Sequence, residues 1–327
     1  MPLSSSSTLV IGGVDIVPGS RTEVELRPAR LPSGSWMEIP VVALRGARQG
    51  PTVWLSAAIH GDEVCGVEII RQVLAKLEPA SMRGTVLAVP VVNVPGFATG
   101  ERYMPDRRDL NRSFPGSPRG SLASRFAATL MKEIVEHCDV GLDLHTGSDH
   151  RRNAPQIRAD LSDEHTLELA RAFGAPFSLH ARLRDGSLRE AAVRSGSTVL
   201  LYEAGEAWRF ETEAIDIGVR GVMRVLRHLG IVPARARPGR STTTVLRSSS
   251  WVRSPLSGIA RLDVELGARV ERRDPLGVVS DAVGSNQRPV VAAKAGVVIG
   301  RNESAVVHRG DALVHIGYPA TAGLESS

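Results

Sequence analysis

Two histidines and a glutamate stand where they could hold one metal ion. An apolar run stops abruptly at His60, and Glu63 follows three residues later. At a strand-to-helix turn this spacing lets an imidazole nitrogen and a carboxylate oxygen converge on one cation. The spacing also occurs by chance, and Asp62 could simply cap the following helix. A second apolar run stops at His145. Two histidines and one glutamate would bind one zinc ion and leave an open position for water.

Polar residues end four of the strands that the sequence predicts, at His60, Asn93, His145 and Glu203. Ligands of open α/β sheets bind outside the carboxyl ends of strands, which favours a single site. Zinc there would lower the pKa of a water molecule and polarise a carbonyl. Glu203 could take the water proton and pass it to a leaving amine. We favour Glu203 over Glu206 as the general base, because Glu203 directly follows the predicted strand.

Asp143 lies two residues before His145 and projects to the same side of the predicted strand. Its carboxylate could therefore orient a metal-binding histidine through a hydrogen bond. The alternative is that Asp143 caps a neighbouring turn, and the sequence leaves both open.

A loop without regular structure is predicted between residues 93 and 120, where Gly and Pro are frequent. Loops this long inside a compact domain are usually functional or disordered. Asn111 and Arg112 would supply fixed donors, and an arginine matches a carboxylate with two parallel hydrogen bonds. Arg102 would join them in binding the substrate, or stabilise the oxyanion that forms on attack.

The elements that position these residues follow an α/β pattern. A hairpin is predicted over 22–44, and then a buried strand at 52–59, an amphipathic helix at 62–77 and a strand at 85–92. The later predictions are helices at 122–137, 163–173, 188–194 and 213–229, strands at 140–144, 177–180 and 198–202, and a loop at 147–155. The sequence thus predicts a sheet with helices on both faces, formed by residues 1–232.

A second domain is predicted beyond a linker at 233–246, which is rich in Pro, Ala, Arg, Gly, Ser and Thr. Residues 247–320 consist of short extended runs separated by glycine, and Ser254–Ile259 is echoed by Ala292–Val297. This pseudo-repeat resembles the barrel-sandwich hybrid of biotinyl and lipoyl carrier domains. Lys294 lies inside the opening strand or turn of the second repeat, so we interpret it as a surface lysine.

Composition excludes several classes of protein. The net charge is +5 and the pI about 9.7, but the basic residues are spread along all 327 residues and aromatic residues make up 4%. Both facts argue against a protein that binds nucleic acid. The sequence contains no run of about 18 apolar residues, so no membrane-spanning helix is predicted. Residues 1–7 do not have the pattern of a signal peptide. The N-terminal sequence thus favours a cytoplasmic protein, and in such a protein two isolated cysteines, Cys65 and Cys138, are predicted to be reduced core residues.

The motifs together resemble the succinylglutamate desuccinylase and aspartoacylase family, relatives of the zinc carboxypeptidases. They are His60-Gly-Asp-Glu63, the loop from Arg102 to Gly116 with Asp-Leu-Asn111-Arg112, Asp143-Leu-His145-Thr-Gly and Glu203-Ala-Gly. The resemblance implies a carboxypeptidase-like three-layer α/β/α fold, one zinc ion, and hydrolysis of an N-acyl amino acid. It also implies zinc ligands at His60, Glu63 and His145, a catalytic carboxylate at Glu203, and a substrate-binding loop with Arg102, Asn111 and Arg112. No match to the family's arginine for the acyl-chain carboxylate is found, although Arg189 and Arg194 lie nearby in sequence.

Three functions compete at this point. The leading hypothesis is a zinc-dependent amidohydrolase of amino acid metabolism that deacylates N-acyl amino acids, as a desuccinylase or a deacetylase would. A carboxypeptidase acting on peptides is the second, and the C-terminal domain and the Asp-Leu-Asn-Arg loop argue against it. A non-catalytic binding protein is the third. The sequence leaves open the acyl group, the amino acid, and whether the chain acts alone or as a homo-oligomer.

Overall fold

The computed structural model describes residues 8–234 and 242–319. Strands in these residues are β1 Leu9–Ile11, β2 Val14–Ile16, β3 Ser20–Arg30, β4 Trp36–Arg45, β5 Arg48–Ala57, β6 Arg83–Val89, β7 Val140–Gly147, β8 Arg151–Ala159, β9 Phe177–His180, β10 Thr198–Glu206, β11 Thr244–Arg253, β12 Gly258–Leu262, β13 Arg269–Val270, β14 Pro275–Ser280, β15 Gln287–Val291, β16 Gly296–Asn302, β17 Val306–Val307 and β18 Ala312–Pro319. The helices are α1 Cys65–Leu74, α2 Val94–Thr99, α3 Leu122–Glu133, α4 Glu164–Phe173, α5 Leu188–Arg194 and α6 Thr212–His228. Short 3-10 helices lie at Pro79–Ser81, Leu110–Arg112 and Val135–His137.

One mixed sheet forms the centre of the molecule. Its strand order in the described residues is β13-β16-β18-β11-β9-β8-β10-β7-β5-β6-β4-β3. Strands β10, β7, β5 and β6 are parallel neighbours, whereas β8 and β4 join this group antiparallel at its two sides. The predicted α/β class is therefore confirmed. The parallel strands are nearly continuous apolar runs because helices cover both of their faces.

Helices pack on both faces of this sheet and create two cores. On one face α1, α4 and α6 bury side chains such as Ile69, Phe173 and Leu226. On the other face α3 and α5 bury Phe126 and Leu188 together with strand residues. Burying each such side chain stabilises the fold by roughly 1.5–3 kcal/mol. No helix in the described part of the chain has both the length and the apolar character needed to cross a membrane.

The helix after His60 starts later than predicted. Its N-cap is Val64, and no side chain caps it. The alternative role for Asp62 as a helix cap is therefore wrong. Residues 60–64 instead form a non-helical turn, closed by a hydrogen bond from the Glu63 amide to the His60 carbonyl. The turn leaves the Glu63 side chain free to approach His60 and His145.

Two loop predictions are also wrong in part. The predicted loop at 147–155 contains the first half of strand β8. The predicted irregular stretch at 93–120 contains α2 and a 3-10 helix. Asn93 explains α2, because its side-chain oxygen accepts a hydrogen bond from the Gly96 amide and so caps the helix.

The C-terminal residues extend the sheet of the N-terminal ones. Strand β11 begins at Thr244, so the last three residues of the predicted linker are not linker; residues 235–241 lie outside the described residues. β11 pairs with β9, and β16 pairs with β8. Strands β15, β14, β12 and β17 form a separate four-stranded sheet in this order. Lys294 is exposed, with its amine 5.7 Å from the centre of the Tyr318 ring.

Candidate metal centre and cavity

Glu63 lies between the two histidines that the sequence predicts as metal ligands. His60 Nδ1 is 2.7 Å from Glu63 Oε1, and His145 Nδ1 is 2.8 Å from Glu63 Oε2. One ligand atom from each of the three residues lies within 4.8 Å of the others, and all three residues are buried. The turn after β5 supplies His60 and Glu63, while His145 lies on the adjacent parallel strand β7.

The outer nitrogen of each imidazole contacts a second carboxylate. His145 Nε2 is 2.8 Å from Asp143 Oδ2, and His60 Nε2 is 3.2 Å from Asp109 Oδ1. Asp143 in turn accepts a hydrogen bond of 2.7 Å from the Ser56 hydroxyl. Such contacts fix the tautomer and the ring orientation of metal-binding histidines. Asp143 therefore lies where the sequence predicted it, whereas the contact of Asp109 with His60 was not predicted.

The electrostatics of the centre are those of closely paired opposite charges. Burial alone would lower the pKa of His145, but Asp143 and Glu63 raise this pKa well above its usual value. Burial would raise the pKa of Glu63, yet His60 and His145 hold it well below its usual range. Glu63 thus stays a carboxylate despite complete burial, as a metal ligand must.

The donor set fits a zinc ion. Two imidazole nitrogens and one carboxylate are the ligands of many catalytic zinc sites, which keep a further position open. The Thr146 amide also donates to Glu63 Oε2 over 3.1 Å and helps to fix the carboxylate. His60, Glu63 and His145 would hold the ion, with Asp109 and Asp143 behind the two imidazoles.

Arg102 lies directly beside this centre. Its guanidinium is 3.3 Å from Glu63 Oε1, 3.4 Å from Asp109 Oδ2 and 2.6 Å from the Ser148 hydroxyl. The Asn93 amide donates to the Arg102 carbonyl over 3.2 Å and so fixes the backbone of the loop. The position allows Arg102 to place positive charge next to a group bound at the metal centre.

Asn111 and Arg112 lie farther along the same loop and line the same cavity. The Asn111 side-chain oxygen accepts a hydrogen bond of 2.9 Å from the Leu188 amide at the start of α5. Arg112 donates to the Asn111 carbonyl oxygen. Asn111 thus connects the loop to α5, and its side-chain oxygen is already engaged by the protein.

Glu203 faces the cavity, and Glu206 is not among the residues that line it. Strand β10 runs on to Glu206, so Glu203 lies at an irregularity inside the strand rather than at its end. Asn153 Nδ2 donates to Glu203 Oε2 over 2.6 Å, and Arg158 Nη1 is 3.2 Å from Glu203 Oε1. Glu206 instead pairs with Arg209.

The cavity has a volume of about 540 Å³ and is rich in arginine. Arg189, which matched no motif, is one of its lining residues and is 7% exposed. Burial, together with the charges of Arg158 and Arg184, lowers the pKa of Arg189 to about 10. Strands β11 and β18 also contribute lining residues, namely Trp251, Arg253 and Ala312. The full set of lining arginines is Arg102, Arg112, Arg151, Arg158, Arg182, Arg184, Arg189 and Arg253.

Asn153, Arg158 and Arg189 were not predicted from the sequence as residues of the site. The first two lie on β8, whose first five residues belong to the stretch 147–155 that was predicted as a loop because it is polar. Their alternation with apolar neighbours was the available signal. Arg189 lies in the first turn of α5 and reaches the cavity because of how the chain before α5 folds. No residue spacing in the sequence indicates this position.

A mixed sheet covered by helices, with a buried His-Glu-His group at the carboxyl ends of its strands, defines an α/β protein with a candidate metal centre. The catalytic-domain model of the succinylglutamate desuccinylase/aspartoacylase family matches residues 49–229. The chain belongs to this family.

Relatives and solved structures agree with this assignment over most of the chain. The N-alpha-acetyl-L-2,4-diaminobutyric acid deacetylase of Halomonas elongata is 32% identical over 291 residues, which are 85% of each protein. A succinylglutamate desuccinylase/aspartoacylase structure from Rhodobacter sphaeroides is 28% identical, with a TM-score of 0.83 over 94% of this chain and 98% of that one. The product-bound ectoine utilization protein EutE (DoeB) from Ruegeria pomeroyi is 26% identical, with a TM-score of 0.83 over 92% of this chain and 97% of that one.

Proposed function

We propose that this protein is a zinc-dependent hydrolase of the amide bond in an N-acyl amino acid. The observation that carries the proposal is the convergence of His60, Glu63 and His145 within 4.8 Å at a cavity that Glu203 also lines. Membership of the family and the full-length similarity to a deacetylase support the same reaction class. We also propose that the N-terminal domain has the three-layer α/β/α arrangement of zinc carboxypeptidases.

Zinc, when bound, would supply Lewis acidity to a water molecule and to the scissile carbonyl. Glu203 accepts the proton of the attacking water and returns it to the departing amine nitrogen, which leaves as a free amino acid. Asn153 and Arg158 hold the Glu203 carboxylate in place for both transfers. Arg102 lies where negative charge develops on the former carbonyl oxygen.

The substrate carries at least one carboxylate in this proposal. The lining includes eight arginines but only two acidic residues, of which Glu63 belongs to the metal centre. Glu203 is already paired with Arg158. Arg112 and Arg189 are the residues that we assign to carboxylate recognition. Each guanidinium is held by donation to backbone carbonyls, of Asn111 for Arg112 and of Ala181 and Arg182 for Arg189, and each keeps further N–H groups for a carboxylate.

Two further parts of the proposal concern organisation and location. We propose a catalytic domain at 1–232 and a β domain at 247–320 with a barrel-sandwich-like arrangement. Residues 1–7 of the first domain and residue 320 of the second lie outside the described residues. The free thiols of Cys65 and Cys138 support a cytoplasmic location.

Metal analysis and a substrate panel test the proposal together. The purified protein should contain one zinc ion per chain, and His145→Ala should lose the ion. The panel would contain N-acetyl, N-succinyl and N-formyl amino acids, including N-alpha-acetyl-L-2,4-diaminobutyrate and N-succinylglutamate, with peptides as the competing class. Release of a free amino acid from an N-acyl amino acid is the expected result.

Glu203→Gln separates the assigned base from the rest of the proposal. This variant should keep its zinc and lose about 100-fold or more in kcat, because general base catalysis typically contributes 10²–10⁴-fold. Glu206→Gln is the matched control and should keep most of the activity. Cleavage of peptides alone would identify a carboxypeptidase, and unchanged turnover by Glu203→Gln would disprove the assigned base.

A further inference from the structure

The C-terminal domain touches the residue that holds the proposed general base. Strand β16 pairs with the first half of β8, and Gly300 is directly opposite Asn153 in this pairing. Asn153 also lies opposite Gly205 of β10, the strand that carries Glu203. The amide of Asn153 therefore lies between the C-terminal domain and the Glu203 carboxylate.

A buried side chain fixes how these two strands meet. Gln156 of β8 is fully buried, and its Nε2 atom donates a hydrogen bond of 2.8 Å to the carbonyl of Ile299, the residue before Gly300. The Glu303 amide also donates to the His150 carbonyl over 2.7 Å at the far end of the contact. Because both contacts involve backbone groups of the C-terminal domain, the register of β16 on β8 is well determined.

Because Gly300 has no side chain, there is room beside it for the Asn153 amide. A Cβ atom at position 300 would lie 2.9 Å from Asn153 Oδ1 and 3.2 Å from the Cβ atom of His315. The first distance is too short for a stable contact, so the Asn153 amide would have to rotate away. This rotation costs the fold little, because the amide is the end of a flexible side chain. It would, however, break the 2.6 Å hydrogen bond from Asn153 Nδ2 to Glu203 Oε2.

We propose that Gly300 and Asn153 are positioning residues through which the C-terminal β domain sets the orientation of the catalytic carboxylate of Glu203. The inference rests on the proposed function, since it takes Glu203 as the general base. It assigns the β domain a part in the reaction although Gly300 is not among the residues that line the cavity. Misplacement of a catalytic group by about 1 Å can cost on the order of 100-fold in rate.

A double-mutant cycle of Gly300→Ala and Asn153→Ala tests the proposal, with N-alpha-acetyl-L-2,4-diaminobutyrate as the first probe. Each single variant should lose about 10- to 100-fold in kcat while KM and zinc content stay near those of the wild type. The double variant should be no worse than Asn153→Ala alone, because the added methyl then has no amide to displace. Additive losses would overturn the proposal.

Gly284→Ala is the matched control within the β domain. Gly284 has a positive φ of 77° and nothing within 4 Å of an added Cβ, so this variant strains the backbone without any contact to Asn153. Its kcat should equal that of the wild type. An equal loss of kcat in Gly284→Ala and Gly300→Ala would mean that general damage to the domain is responsible, and the proposal would be wrong.

A crystal structure of Gly300→Ala decides the inference without any assay of activity. The expected result is an Asn153 amide turned away from Glu203, with a carboxylate that has changed its rotamer. An intact hydrogen bond between Asn153 and Glu203 in the variant would overturn the proposal. If the wild type cleaves no N-acyl amino acid, the proposed function fails, and this structure still decides whether Gly300 controls the carboxylate.

Discussion

The Nε2 atom of His60 lies 3.2 Å from Oδ1 of Asp109, a residue of the loop that also carries Asn111 and Arg112. This contact leaves His60 Nδ1 free to face Glu63. We expect Asp109→Asn to weaken zinc binding by about 10- to 100-fold, the usual effect of losing such a carboxylate behind a histidine ligand. Competition with a chromogenic chelator would measure the affinity. Asp185→Asn, at an exposed position, controls for the loss of one negative charge, and equal affinities in all three proteins would contradict the expectation.

Arg189 and Arg194 form a matched pair for testing carboxylate recognition. Arg189 is buried and lines the cavity, whereas Arg194 is exposed and pairs with Glu190 over 2.8 Å. Arg189→Gln should raise KM by roughly 10- to 100-fold, because a hydrogen bond to a charged group contributes about 1.5–3 kcal/mol. Arg194→Gln should leave KM unchanged. Steady-state kinetics with the best substrate of the panel would measure both, and equal KM values would remove Arg189 from the binding site.

We expect His315 to make the stability of the fold depend on pH. Burial and the charge of Arg158 lower its pKa from 6.5 to about 3. In the unfolded chain the histidine binds a proton below its ordinary pKa of 6.5, so between these pH values the unfolded state binds more protons. The free energy of unfolding should therefore fall as the pH falls through this window, by at most about 1.4 kcal/mol per pH unit from this residue.

Urea unfolding of wild type and His315→Gln at pH 7, 6, 5 and 4 would measure this dependence. The variant should show the shallower decrease, because it has lost the group that binds the extra proton on unfolding. His308→Gln, at an exposed site of the same domain, controls for the removal of a histidine. Parallel curves for wild type and His315→Gln would contradict the prediction.

Gly61 is required by close packing against α2. A Cβ atom there would lie 2.0 Å from the Gly96 carbonyl carbon and 2.2 Å from the Phe97 nitrogen, and backbone atoms cannot move aside alone. Gly61→Ala should therefore destabilise the protein by about 1–3 kcal/mol and reduce its zinc content, since Gly61 directly follows His60 and lies two residues before Glu63.

Thermal unfolding and metal analysis would test this expectation. Gly13→Ala is the control, because its added methyl meets no atom within 4 Å although φ is 81°. A smaller loss of stability and a full zinc content are expected for it. If Gly61→Ala binds zinc and unfolds like the wild type, α2 must be able to shift without disturbing the centre.

The sequence predicts the metal centre better than the cavity around it. His60 and Glu63 lie just after β5 and His145 lies near the end of β7, and the carboxyl ends of parallel strands meet at one edge of the sheet. Residues such as Arg158, Arg189 and Arg253 reach the cavity through turns and strand pairings between distant segments. Their spacing in the chain therefore carries no signal, and only the folded structure brings them together.

The same reasoning explains which elements were predicted. The α1 and α6 helices have a strong apolar periodicity, and most of their residues were assigned correctly. Strand β8 was not predicted, because Arg151, Arg152 and Asn153 are polar and the segment up to Pro155 was assigned to a loop. Their polarity reflects the cavity and the C-terminal strands that they contact, which a local pattern cannot reveal. Only the contacts of the folded chain show that this segment is a strand.

The pairing of β8 with β16 and of β9 with β11 has a consequence for how the protein could be divided. Removing the C-terminal residues would leave residues 151–153 and 177–179 as an unpaired strand edge, which is a template for self-association. The C-terminal strands therefore cover an edge of the sheet that would otherwise be prone to aggregation. An exchange of residues 244–319 between family members would succeed only if the incoming strands matched both the register and the side-chain spaces at that edge.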